Sequence, residues 1–370
     1  MAEAAGMTLE PGDFLPDFQL LNQRRNPTVV ANKMLGKAGV FLFYPDHDKA
    51  ACQEILRGFA ERHAELDALA HVFAVTRESP EVSAAKAQSL GLPFGFILSD
   101  AEGRIAQGLG VAHNLDQGTD FMGLGAFTVF VTDANRRLLR IDRGVQDKAY
   151  AAGLIDFLAA QPRREPQLMG PTAPVLYVPQ VFTPADCRRL IEVYETQGNQ
   201  PTGSQIDDAS GQAAQRFDPS SKIRRDHTVT DRALNAEIRE TIGRRVIPEI
   251  FKAFHYRATH YEVFKISCYD GADKGFFRPH RDNVSTSTAH RRFAMTVNLN
   301  TGDYAGGQLR FPEYGPELYA PAAGDAVVFS CSLLHEATPV TEGRRFALLA
   351  FFYGAESQGL MRQRQAATPG

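Results

Sequence analysis

The sequence predicts two units of different class, an α/β sandwich followed by an α+β unit whose core is all β. Three observations predict this. At 370 residues the chain exceeds what one ordinary core holds. Up to about residue 161, apolar runs of strand length alternate with stretches of helical periodicity. From Tyr261 onward the chain becomes a series of short apolar runs broken by turns.

In the first half, AGVFLFYP (38–45) reads as a buried strand ended by Pro. The stretch AACQEILRGFAERHAELDAL after it has helical periodicity, with Ile55, Leu56, Phe59 and Leu66 on one side. HVFAVT (71–76) is a second buried strand. SPEVSAAKAQSLGL offers a Ser cap, Pro in the first turn and Gly91 as a stop, the marks of a helix. Two apolar runs flanking Ala134–Arg137 predict a hairpin over 127–144, and 149–161 predicts a closing helix. The first domain is therefore placed at 1–161. PRREPQLMGPTAP (162–174), rich in Pro and charge, is the expected linker.

The second domain is placed at 175–357. VLYVPQVF leads into TPADCRRLIEVYE, where Thr183 is the predicted cap, Pro184 the first helical residue and Asp186 an acid in the first turn. Residues 200–222 are polar and Gly/Ser-rich, which predicts a mobile loop and a candidate lid. One long helix is expected over 231–254. The short runs YEVFKISCYD, RRFAMTVNLN, GGQLRFPEY, DAVVFSCSLLHE and RRFALLAFFYG supply the β core, and 358–370 reads as a disordered tail.

Composition narrows the function classes. Hydrophobic residues make up 44% and charged residues 22%, and the formal net charge is −3. Neither nucleic acid nor a membrane is implied as a partner. MAEAAGMTLEPGDF has no basic stretch followed by an apolar run, so no secretory signal is expected. Cys52, Cys187, Cys268 and Cys331 are scattered and form no CxxC pair, which argues against a disulfide framework or structural zinc and for a reduced, cytoplasmic protein.

Two histidines stand in informative settings. In Arg278-Pro279-His280-Arg281-Asp282-Asn283, residues two apart on a strand share a side, so His280 and Asp282 can reach one metal. His335 ends DAVVFSCSLLHE, 53 positions after Asp282. Two imidazoles and one carboxylate leave coordination positions open, as non-haem iron(II) oxygenases require. His227, His255, His260 and His290 have no ligand spacing and are candidates for lining a substrate groove. His47, between Asp46 and Asp48, reads as a solvated loop residue.

The ordered set His280-x-Asp282, Gly306-Gly307-Gln308-Leu309-Arg310-Phe311, Pro321-Ala322-Ala323-Gly324-Asp325, His335, Pro339, Gly343 and Arg345 resembles the prolyl 4-hydroxylase-like branch of the iron(II)/2-oxoglutarate dioxygenases. The likeness runs from about Val175 to Tyr353 and implies a double-stranded β-helix, or jelly roll. It further implies iron(II), 2-oxoglutarate, O₂ and ascorbate, with His280, Asp282 and His335 as metal ligands. Arg345, ten residues after His335, would hold the distal carboxylate of 2-oxoglutarate as a bidentate fork. Arg344 competes for that role, but neighbours on a strand face opposite sides. Tyr269 would donate its hydroxyl to the cosubstrate. Asn298 stands where some relatives carry a Tyr touching it, and Asn is shorter. The reaction implied is decarboxylation of 2-oxoglutarate to succinate and CO₂ coupled to hydroxylation of an unactivated C–H bond.

Residues 8–161 resemble the peroxiredoxins of the thioredoxin fold. The carriers are Pro11–Phe18, the strand Phe41–Pro45, Cys52 and Leu98-Ser99-Asp100. Cys52 falls at the peroxidatic position, where a helix N-terminus lowers a thiol pKa, with Lys49 as an additional cation. The chain departs from the family in three ways. Lys49, Ala50 and Ala51 replace the expected Thr and Pro, Phe127 stands near the place of the peroxide-polarising arginine, and no second cysteine lies nearby. Two readings of this domain follow, a thiol peroxidase and a docking or scaffolding domain. Three functions thus compete for the whole chain: a hydroxylase with an attached redox or scaffolding domain, a thiol peroxidase with a C-terminal sensing module, and a binding module. The expected partners are a small-molecule or peptide substrate and a second copy in a homodimer.

Overall fold

In the computed structural model, residues 9–44, 50–111, 127–163, 165–166, 168–208 and 213–357 are described. The chain divides into two units, 1–166 and 167–370. Lys49, His47 and the tail 358–370 lie outside the described residues.

The first unit is built on β1 (Gln19–Asn22), β2 (Pro27–Val29), β3 (Ala38–Phe43), β4 (Ala70–Thr76), β5 (Phe96–Ser99), β6 (Phe127–Thr132) and β7 (Leu138–Val145). They form one sheet in the order β2-β1-β5-β4-β3-β6-β7. β3, β4 and β5 pair in parallel, so each connection must cross over the sheet. α2 (Ala50–Glu61) and α3 (His63–Leu69) make the first crossing and α4 (Pro80–Leu90) the second. A short α1 (Ala31–Met34), α5 (Arg104–Gly108) and the closing α6 (Tyr150–Ala159) complete the unit. The expected single helix over 50–69 is two, broken at Arg62 (φ −106°). Ile55, Leu56, Phe59 and Leu66 nevertheless share one core with Val40, Leu42, Val72 and Ala74. Periodicity marked the buried face correctly and left continuity open. α4 has the predicted ends: the Ser79 hydroxyl accepts from Val82 N, and Gly91 is left-handed.

The second unit opens with β8 (Leu176–Val178) and α7 (Pro184–Thr196). Thr183 and Asp186 form a reciprocal capping box, each side chain accepting from the other's backbone N–H. The described residues between 200 and 222 form strands rather than the expected loop. β9 (Gln200–Pro201) is followed by β10 (Ser204–Asp207) and β11 (Ala213–Arg216), which pair as an antiparallel ribbon, then β12 (Lys222–Ile223) and β13 (Arg225–Thr228). Backbone ladders need no apolar run, so the polar composition hid this pairing. The expected helix 231–254 is α8 (Arg232–Arg245) and α9 (Ile247–Phe254). Pro248 lacks an N–H and its ring crowds the Arg244 carbonyl, so the helix breaks at Val246.

The β core follows as β14 (His260–Tyr261), β15 (Lys265–Asp270), β16 (Phe276–His280), β17 (Phe293–Asn298), β18 (Ala305–Gly306), β19 (Leu309–Arg310), β20 (Leu318–Tyr319), β21 (Ala326–Ser330), β22 (His335–Ala337), β23 (Val340–Glu342) and β24 (Arg344–Tyr353). The larger sheet runs β8-β21-β17-β24-β15-β13-β9, with β14 also on β24, and the smaller runs β12-β16-β22-β19-β20. This is the sheet-rich core of a jelly roll. Along β24 the faces alternate. Phe346, Leu348, Ala350 and Phe352 pack with Leu190 of α7, Ile238 of α8 and Ile250 of α9, whereas Arg345, Leu349 and Phe351 line a cavity. Among the described residues no helix is long and apolar enough to cross a membrane.

Candidate metal centre

β16 and β22 are neighbours in the smaller sheet, and His280 pairs directly with His335 in their register. The shared-strand argument for Asp282 needs correction, because β16 ends at His280 and Asp282 stands in the turn beyond. That turn is held from both sides. The Asp282 N–H donates to Cys331 O at 3.0 Å and Arg291 Nη1 donates to Asp282 O at 3.2 Å. Its Oδ1 lies 3.5 Å from His280 Nε2 and its Oδ2 lies 3.3 Å from His335 Nε2. One ligand atom from each residue falls within 4.8 Å of the others, a spacing that metal bonds of about 2.0–2.2 Å can bridge.

The backbone sets the imidazole tautomers. His280 Nδ1 faces Arg278 O at 2.7 Å and His335 Nδ1 faces Leu333 O at 3.0 Å. A carbonyl oxygen can only accept, so each Nδ1 carries its proton and each Nε2 offers a lone pair to the shared point. Burial lowers the His335 pKa to about 4 against the opposing pull of Asp282, which keeps it neutral at pH 7. Burial by itself would raise the Asp282 carboxyl, but His335 and His280 outweigh it and hold it below the usual carboxylate range. Phe329 meets His335 edge-on at 4.6 Å, and Phe277 stacks on His280. The donor set is thus two imidazoles and one carboxylate walled by aromatic rings, which suits iron(II) with open positions.

The triad sits in the wall of a cavity of about 340 Å³ that Arg345, Tyr269 and Thr296 also line. Arg345 is 2% exposed. Its Nη2 donates to Asn298 Oδ1 at 3.0 Å and its Nε is buried without a hydrogen-bond partner. An orphaned buried guanidinium nitrogen is costly unless an acceptor occupies the cavity, and the distal carboxylate of 2-oxoglutarate fits that requirement. Gly306 and Gly307 make room for it. Both have positive φ, and a Cβ on Gly307 would stand 2.9 Å from Arg345 Cδ. Arg344 points away and pairs with Glu195 at 2.7 Å. Tyr269 lies under Arg345, ring centroid to Cζ 5.3 Å. Its hydroxyl accepts from Arg224 Nη1 at 3.3 Å, leaving its proton for an acceptor in the cavity.

Asn298 does not line the cavity. Its Nδ2 reaches Thr301 Oγ1, Tyr304 Oη and Pro321 O, which turns Oδ1 toward Arg345. It orients the guanidinium from behind. Thr296 escaped the sequence reading. It lies two residues before Asn298 on the same face of β17, and its buried Oγ1 has no hydrogen-bond partner. The face alternation that placed Arg345 would have found it. His227, His255, His260 and His290 do not line the cavity. His227 bonds Gly198 O at 2.7 Å, His260 stacks on Tyr353, His290 pairs with Glu262 and His255 caps α9.

In the first unit, Cys52 is in the first turn of α2 and fully buried. Phe127 is also fully buried and stacks on Tyr44 at 5.2 Å between ring centroids. None of the four cysteines forms a disulfide. Burial pushes Cys187 and Cys268 each up to about 11, so both are packing groups.

Two family models match the chain: the 2OG-Fe(II) oxygenase superfamily over residues 264–353 and the AhpC/TSA family over residues 11–141. A PKHD-type hydroxylase of Pseudomonas putida strain W619 is 30% identical over 202 residues, spanning 51% of this chain and 80% of the relative. The PKHD-type hydroxylase PiuC of Pseudomonas aeruginosa is 27% identical over 199 residues, with the same coverage of 51% and 80%. A solved peroxidoxin structure from Mycobacterium tuberculosis aligns with 42% of this chain and 99% of its own, at TM-score 0.36 and 23% identity.

Proposed function

Since the chain belongs to the PKHD-type hydroxylases of the 2OG-Fe(II) oxygenase superfamily, we propose that His280, Asp282 and His335 hold its iron(II) and that Arg345 anchors 2-oxoglutarate for hydroxylation of an unactivated C–H bond. The observation that carries this reading is the convergence of two Nε2 lone pairs and one carboxylate in a cavity whose wall also contains the orphaned Arg345 Nε. Iron(II), 2-oxoglutarate and O₂ together supply the oxidising chemistry, yielding succinate, CO₂ and one C–OH, with ascorbate as the reductant that keeps the metal ferrous.

The protein's own residues bind and orient. Arg345 and Thr296 receive the distal carboxylate, Asn298 fixes the guanidinium plane, and Tyr269 donates its hydroxyl proton to a cosubstrate oxygen. Phe277, Phe329 and Phe351 exclude water from the cavity wall. The substrate is a small molecule or a peptide side chain.

For the N-terminal unit we propose a docking or scaffolding role. Phe127 stands near the place where a peroxidase keeps a guanidinium, and its ring is packed on Tyr44. A reducing, cytoplasmic location goes with this reading, since the four cysteines are scattered and form no CxxC pair.

The test is a succinate-release assay with iron(II), 2-oxoglutarate and O₂ over a panel of small molecules and peptides. The expected product is a panel compound heavier by one oxygen atom. Succinate release that survives iron chelation or Asp282→Ala would contradict the assignment.

A further inference from the structure

Six cationic side chains line the cavity: Lys222, Arg224, Lys265, Arg281, Arg291 and Arg345. Three arginines have carboxylate partners of their own. Arg224 pairs with Asp226 at 2.8 Å, Arg281 with Glu313 at 2.5 Å and Arg291 with Glu262 at 2.6 Å. Once loaded, iron(II) and Arg345 balance Asp282 and the two carboxylates of the cosubstrate. The two lysines remain. Lys222 Nζ donates to Gly203 O at 3.0 Å and lies 4.8 Å from the Phe277 ring centroid. Lys265 pairs through its backbone in β15, but its ammonium group has no hydrogen-bond or ion-pair partner among the described residues.

Their positions converge. Lys222, on β12 of the smaller sheet, is in register with Phe277, three residues before His280. Lys265, on β15 of the larger sheet, shares the inward face with Tyr269 and is in register with Leu349. Each sheet therefore contributes one ammonium group. Burial lowers the Lys222 pKa to about 6, and like charge on Arg224 and Lys265 acts in the same direction, while Asp226 and Asp282 oppose it. Lys222, Lys265 and the metal triad all line the same cavity. Burial lowers Lys265 as well. Partly buried ammonium groups without a carboxylate partner are costly, and an anion between them removes that cost.

We propose that Lys222 and Lys265 form an anion subsite and that the hydroxylated substrate is a small carboxylic acid, its carboxylate between the two ammonium groups and its carbon chain directed toward His280 and Asp282. The cavity, about 340 Å³, must also take the cosubstrate and lies near the lower end of the about 300–1,000 Å³ typical of small-molecule sites, which favours a small acid. The inference rests on the hydroxylase reading above.

The full chain, loaded anaerobically with iron(II) and 2-oxoglutarate, is titrated calorimetrically with free L-amino acids and short mono- and dicarboxylic acids, each paired with its amide. At least one acid should bind about tenfold or more tightly than its amide, the size of one charge-assisted hydrogen bond. Lys222→Met and Lys265→Met should each erase that preference while 2-oxoglutarate still binds, and Lys222→Arg and Lys265→Arg should keep it. Repeating the titration in buffers of different ionisation enthalpy should show proton uptake on acid binding, absent in Lys222→Met. Equal binding of acids and amides, no acid binding at all, acid affinity indifferent to both lysines, or lysine-dependent binding of phosphate monoesters alone would each overturn the subsite while leaving the hydroxylase reading intact. Failure of 2-oxoglutarate to bind the parent overturns both.

Discussion

His335 and Cys52 are both buried, at 5% and 0% exposure, and both sit where a family resemblance places chemistry. Their surroundings differ. Around His335 the fold leaves two buried polar atoms without hydrogen-bond partners in residues that line a cavity, Arg345 Nε and Thr296 Oγ1, and turns His335 Nε2 to Asp282 Oδ2 at 3.3 Å. Among the described residues, Cys52 belongs to an apolar core with the stacked Tyr44 and Phe127 and with Leu56 and Phe59. Buried polar groups without partners cost about 1–3 kcal/mol each, so a fold retains a cluster of them where a ligand supplies the partners. The N-terminal unit keeps the position of its cysteine and has filled the space near it with aromatic packing.

The largest effect that sharpens this contrast is at Arg345. Arg345→Ala leaves the distal carboxylate buried without a cation, a penalty of about 3–5 kcal/mol, or two to three orders of magnitude or more in 2-oxoglutarate affinity at about 1.4 kcal/mol per tenfold. Iron binding should survive, and Arg344→Ala, which removes only a partly exposed pair with Glu195, should have a small effect. Lys at position 345 should keep part of the affinity as a point charge. Equal losses from the two alanine variants would mean that the strand face has been misassigned.

A second effect concerns the ionised frame behind the cavity. Burial would raise the Glu262 carboxyl, but His290 and Arg291 outweigh it and bring it down to about 2, below the usual carboxylate range. A depressed carboxyl stabilises the fold above its unfolded pKa, and that stability is lost as pH falls through the folded value. The second unit should therefore lose at most about 3 kcal/mol between pH about 4.5 and about 2. Glu262→Gln should flatten this part of the urea-measured stability profile, and an unchanged slope would count against the ion pair.

Next is Asn298→Ala. It removes the acceptor for Arg345 Nη2 without touching the cavity, so 2-oxoglutarate affinity should fall about tenfold with iron binding unaffected. A loss as large as that of Arg345→Ala would place Asn298 in direct contact with the cosubstrate. The smallest expected effect is at Cys52. Cys52→Ser should leave succinate release unchanged in the absence of peroxide, and mass spectrometry should find no rapid sulfenate. Stoichiometric sulfenate within seconds of micromolar peroxide would reverse the contrast between the two units.

Much of this was legible in the chain because its signals are local. A Ser or Thr cap, a Pro at the first helical position and strict strand alternation act over a few residues, and they located α4, α7 and the two faces of β24. What was missed depends on distant partners. Residues 204–207 and 213–216 pair through backbone, which polar composition does not show, and one long helix was read through Pro248 because its apolar residues stay in phase on both sides of the break. Asp282 reaches the histidines from a turn whose shape is set by Cys331 and Arg291. Lys222 and Lys265 lie on different sheets, so nothing in their spacing joins them.

The most direct test is an anaerobic titration of the metal-free chain with iron(II), followed by 2-oxoglutarate, in the parent and in His280→Ala/His335→Ala. The account predicts one iron(II) per chain in the parent and 2-oxoglutarate binding that requires it. It predicts neither in the double variant, with the fold retained by circular dichroism. Full iron stoichiometry in the folded double variant would contradict it.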